Sequence, residues 1–132
     1  MIVVDTNVLV YFSVGPADQR SLARRARKRD GSWSAPPFWR SEFRNALFGY
    51  MRRGHLSLED AVDAHVDAEL AVVSRGSSFR DVLELAATSR TSAYDCEYVA
   101  LARRLRVPLV TADRKLVEAF PETCVSLEQY AG

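Results

Sequence analysis

Two acids stand where apolar strand-forming runs stop. Asp5 ends Ile2-Val3-Val4, and Asp113 ends Pro108-Leu109-Val110-Thr111-Ala112. A carboxylate at the border of a core needs something to meet its charge. Taken singly, each has a plain use as the cap of a following helix, a position Asp favours. Taken together, on two strands near the centre of a parallel sheet, they would face one crevice at the strands' carboxyl ends. Two further acids can join them. In FWRSEFRNALFGYMRR, Trp39, Phe43, Ala46, Leu47 and Tyr50 recur at helical spacing and form a core face. Glu42, Asn45 and Gly49 define a second face of that helix. Asp95 lies in the first turn of SAYDCEYVALA, where Ser92-x-x-Asp95 also reads as a capping box. Glu97 points about 200° away from Asp95 around the same helix and reads as solvated.

Four converging carboxylates repel. At 4 Å each like pair costs about 4 kcal/mol at an effective dielectric of 20. Either some are protonated or a hard divalent cation neutralises them. No suitably spaced His or Cys accompanies them, so oxygen-only ligation points to Mg²⁺ or Mn²⁺, the usual partners of phosphate chemistry.

The elements that must position these residues alternate. The runs "IVV", "WSA", "ELAVV", "PLVTA" and "CVSL" read as strands. Helices are expected over 6–12, from "GPADQ" to Arg29, over 37–52, after "SLED", over "FRDVLELAATS", from Ser92 onward and over 113–119. The expectation is an α/β three-layer sandwich with a mostly parallel central sheet of about five strands. The chain's 132 residues suit one domain, 1–132. Hydrophobic residues make up 48% and charged ones 27%, which implies an ordered globular chain. A net charge of +1 excludes a generally basic nucleic-acid binder but not a locally basic one. Cys96 and Cys124 form no framework and are expected reduced. No apolar stretch approaches the roughly 20 residues of a membrane span, and no basic leader precedes the first strand; a cytoplasmic protein is expected.

The pieces VVDTNVLVYF, SEFRNAL at 41–47, SAYDCEYVALA at 92–102 and LVTADRKL at 109–116 occur together and in this order. The chain thereby resembles PIN-domain ribonucleases, and among them the VapC-type toxins of toxin–antitoxin pairs. The resemblance implies metal-dependent endonucleolytic cleavage of RNA. It places the acidic site on Asp5, Glu42, Asp95 and Asp113. Asn7 matches the polar residue after the first acid, and Thr111 the hydroxyl before the last. It also implies a homodimer and a small antitoxin partner. On this reading Asp5 and Asp95 hold the principal Mg²⁺ or Mn²⁺, with Glu42 and Asp113 completing its surroundings. Asn7 and Asn45 would bind substrate or steady the acids.

An acidic crevice repels RNA, so cations elsewhere must grip it. Candidates are the Arg20–Arg29 run and Arg40, Arg44, Arg52 and Arg53; such runs are also ordinary solvated faces. His55 and His65 read as surface residues, and Trp33 and Trp39 as core anchors. A phosphotransfer hydrolase using Asp5 as nucleophile is disfavoured because Asn7 stands where it needs a second Asp. A catalytically weak scaffold acting through antitoxin binding is the non-enzyme alternative.

Overall fold

A computed structural model describes all 132 residues. Five three-residue strands form one sheet: β1 (Ile2–Val4), β2 (Trp33–Ala35), β3 (Val72–Ser74), β4 (Leu109–Thr111) and β5 (Cys124–Ser126). Their order is β3-β2-β1-β4-β5, and every pairing is parallel. The sheet is thus wholly rather than mostly parallel. Eight helices connect and cover it: α1 (Thr6–Val14), α2 (Ala17–Arg29), α3 (Trp39–Arg52), α4 (Leu58–Ala71), α5 (Phe79–Thr88), α6 (Ala93–Leu105), α7 (Arg114–Ala119) and α8 (Leu127–Ala131).

The order explains where a site belongs. From β1 the chain steps outward through β2 to β3, then returns to β1's other side for β4 and β5. The direction of travel reverses between β1 and β4. In open parallel sheets such a reversal opens a crevice beyond the strands' carboxyl ends, because neighbouring connections leave to opposite faces. Asp5 and Asp113 lie at that point.

The continuous apolar runs are buried on both faces, as central parallel strands require. Ile2, Val3, Val4, Leu109 and Val110 are at most 2% exposed. Helix α6 carries the longest buried run, Tyr98 through Ala102, and packs on β1 and β4. Trp33 and Trp39 are core anchors as expected. Removing a side chain such as Leu101 would cost about 2–5 kcal/mol through lost transfer energy and the cavity left.

Caps set the helix starts. Ser57, Ser78 and Ser92 each accept the N–H of an acid three residues on, Asp60, Asp81 and Asp95. That satisfies one of the donors every helix N-terminus leaves open.

Three local expectations need correction, and one helix was not foreseen. Of "ELAVV", Glu69, Leu70 and Ala71 finish α4, and only Val72 and Val73 enter β3. A short apolar run carries no periodicity to separate helix from strand. Helix α3 begins at Trp39 rather than at 37; Pro37 and Phe38 form a turn before it. The C-terminal α8 had no sequence signal beyond Ser126, which caps it through the N–H of Gln129. His65 is half-buried rather than on the surface. Its ring stacks on Trp39 at 6.0 Å, and burial, with Arg44 beside it, holds its pKa below the ordinary value.

Candidate active site

Asp5 follows the last residue of β1 and caps α1. It is only 8% exposed. Three donors hold its carboxylate. The Thr6 N–H donates to Oδ1 at 2.8 Å, the Thr111 hydroxyl to Oδ2 at 2.7 Å, and Asn7 Nδ2 to Oδ2 at 3.3 Å. Asn7 also accepts the Ala112 N–H at 3.1 Å through Oδ1, and Thr111 Oγ1 accepts the Asp113 N–H at 3.0 Å. Asn7 and Thr111 therefore clamp the tips of β1 and β4 together while fixing Asp5.

Burial pushes the Asp5 carboxyl up to about 6; the Thr111 bond opposes this, while the charges of Asp95 and Glu42 add to it. Asp95, in the first turn of α6, is raised by burial, then by Asp113 and Glu42. Asp95 and Glu42 thus act on Asp5, and Asp113 and Glu42 on Asp95, which puts all four acids in one electrostatic neighbourhood. None forms an ion pair with any Lys or Arg.

Asp113 caps α7, with Oδ1 accepting the Lys115 N–H at 2.9 Å. The capping role is present, and the same residue stands just beyond the carboxyl end of β4, facing the crevice of the sheet's reversal. Glu42, on α3, is held by two residues that the sequence pattern did not single out. The hydroxyls of Tyr98 and Thr6 donate to Glu42 Oε1 at 2.7 and 2.9 Å, and touch each other at 2.5 Å. Tyr98 lies three residues beyond Asp95, on the same face of α6, which was the available signal. Asn45 behaves differently: it is exposed and steadies none of the acids.

A hard divalent cation suits this donor set. Every donor is an oxygen, Asp5 is locked in place, and the negative charge has no cationic partner. Apart from Arg20 Nε, no buried side-chain polar atom lacks a hydrogen-bond partner. The unbonded oxygens of Glu42, Asp95 and Asp113 are therefore open to solvent and to an entering ion. No three acids are drawn together into a preformed cage.

Of the candidate grip residues, Arg40 is committed elsewhere. It forms a two-pronged pair with Glu69 at 2.5 and 2.9 Å and also donates to Ser74. Arg44 donates to His65. On α2, Arg20, Arg24, Arg25 and Lys28 flank one shallow concavity and none is ion-paired.

Residues 2–120 match the family model described as PIN domain. Over 125 residues the chain is 30% identical to Ribonuclease VapC3 of Pyrobaculum aerophilum, covering 91% of this chain and 95% of that protein. The crystal structure of PAE2754 from Pyrobaculum aerophilum aligns with a TM-score of 0.74 at 20% identity, over 98% of this chain and 92% of that one. That second likeness is one of fold.

Proposed function

The chain belongs to the PIN-domain family, in its VapC-type ribonuclease branch, and from that premise we propose that it is a Mg²⁺- or Mn²⁺-dependent endoribonuclease. It acts as the toxin of a toxin–antitoxin pair, as a homodimer restrained by a small antitoxin protein. Residues 1–132 are read as one PIN domain. The observation that carries the reading is the burial of Asp5 beside Asp95 and Glu42 with no cation in reach. Such an arrangement disfavours the ionised acid, and a bound divalent ion would relieve it near neutral pH.

Asp5 and Asp95 would be the principal ligands, with Asp113 and Glu42 completing the set. A divalent ion held there would supply activation of a water and offset charge on the phosphate. The chain's own residues do the rest. The donors around Asp5 fix a carboxylate that would otherwise rotate, so the geometry is set before substrate arrives. Water attacks phosphorus in line, the bond to the leaving ribose oxygen breaks, a carboxylate, Glu42 or Asp113, accepts the water's proton, and the leaving oxygen takes a proton from solvent water. Unpaired cations such as those of α2 contact RNA phosphates, which makes binding salt-dependent.

The test is cleavage of mixed cellular RNA by the purified protein and by Asp95→Asn, with Mg²⁺ or Mn²⁺ and with EDTA. Discrete fragments that require both metal and Asp95 support the reading, and end-sequencing then names the target. Cleavage that persists in EDTA or in Asp95→Asn overturns it.

A further inference from the structure

Glu42 is held asymmetrically. Both hydroxyls, Tyr98 OH and Thr6 Oγ1, fall on Oε1, and no protein donor reaches Oε2. Two hydroxyl protons serve three short contacts among Oε1, Tyr98 OH and Thr6 Oγ1. However those protons are shared, Oε1 always receives at least one, and Oε2 is left as the free oxygen. The holders are themselves fixed. Tyr98 is 1% exposed, and its ring packs edge-on against Phe38 at 5.4 Å. Thr6 directly follows Asp5 and donates its N–H to that carboxylate. One residue thus links the two acids, and one buried phenol sets the direction of Glu42.

We propose that Tyr98 and Thr6 are positioning residues, which lock Oε1 of Glu42 so that Oε2 alone serves the metal or the attacking water. This rests on the nuclease reading above and extends it to two residues that carry no charge. Neither touches substrate in this role. Each acts through Glu42, as hydrogen-bonding partners of metal-binding carboxylates generally do.

The decisive experiment is a double-mutant cycle read by steady-state cleavage of a synthetic RNA containing the mapped cut site. Tyr98→Phe removes the hydroxyl and keeps the ring. It should lower kcat about 10–100-fold, the usual loss when such a partner is removed. The KM for RNA should not move, and the Kd for Mn²⁺, measured without RNA by electron paramagnetic resonance of the unbound ion, should rise. Thr6→Val should behave alike, and Thr6→Ser, which restores the hydroxyl, should recover the rate. In a Glu42→Ala background, Tyr98→Phe should cost nothing further. Circular-dichroism melting of each variant checks that the fold is kept, and Thr6→Val repeats the test if Tyr98→Phe does not fold.

Wild-type rates for Tyr98→Phe, or an equal loss with and without Glu42, overturn the proposal. Cleavage that ignores Asp5→Asn would instead fail the nuclease reading, and the proposal with it. Asp5-dependent cleavage that ignores Tyr98 overturns the proposal alone.

Discussion

Helix α3 carries two charged residues two positions apart that meet opposite fates. Arg40 is answered: Glu69 grips it with both carboxylate oxygens, Ser74 adds a third bond, and the pairing lowers the Glu69 pKa. Glu42 looks toward a crevice whose other charges are also negative, and the deepest of them, Asp5, is raised by burial and by its neighbours. The first region is arranged for the protein as it stands. On the proposed function, the second is arranged for a cation from outside. The proposed function rests on this contrast: Asp5 is buried among other acids with no basic partner, and a buried charge without a partner costs stability.

The largest effect should come from removing the central acid. Asp5→Asn keeps the Thr6 bond to an oxygen and deletes the charge. Cleavage should fall by at least about 100–1,000-fold, the loss expected for one charge-stabilising group, as followed by gel assay. The contrast would break if the variant cut RNA normally.

A second expectation concerns metal and stability. Mn²⁺ at about 100 times its Kd should stabilise the folded protein by about 2.7 kcal/mol, seen as a rise in Tm. The same addition should leave Asp5→Asn unmoved.

The pH dependence sharpens the contrast next. The Asp5 carboxyl is raised from 3.8 to about 6, so the folded protein holds this proton where the unfolded chain has released it. The contribution is fully present below about pH 4 and is lost as pH rises through about 6. Metal-free wild type should therefore lose up to about 3 kcal/mol relative to Asp5→Asn between those limits. Denaturant unfolding of both proteins at several pH values measures the difference. Other acids shift in the opposite direction, Glu69 among them, so the comparison between variants is the informative quantity.

The smallest effect belongs to the satisfied region. Both partners of the Arg40–Glu69 pair are about one-third exposed. Glu69→Gln should cost no more than about 1 kcal/mol, as solvated ion pairs do, and leave cleavage unchanged. A large loss of activity there would erase the distinction between the two regions.

The residues differ in how openly they announced these roles. Asp5 and Asp113 were legible because a carboxylate interrupts an apolar run, and the strand-end position follows from the parallel sheet. Ser92 and Ser57 were legible as caps because the Ser-x-x-Asp spacing has a local cause. Tyr98 was not: it sits inside Tyr98-Val99-Ala100-Leu101-Ala102, where an aromatic ring reads as core, and its hydroxyl's partner is 56 residues away in sequence. Thr6 hid between two more conspicuous polar residues. The boundary between α4 and β3 was blurred by an apolar run too short for either period to show. Asn45 shared a helix face with Glu42 by spacing, yet steadies no acid. Local sequence rules describe neighbours along one element, whereas these contacts are made between elements.

The most direct test of the central account is a Mn²⁺ titration of the metal-free protein, followed by electron paramagnetic resonance of the unbound ion. The account predicts saturable binding of one or two ions, lost in Asp5→Asn while circular dichroism shows the fold intact. Saturable binding that Asp5→Asn leaves unchanged, or a wild-type protein that binds no Mn²⁺, would contradict it.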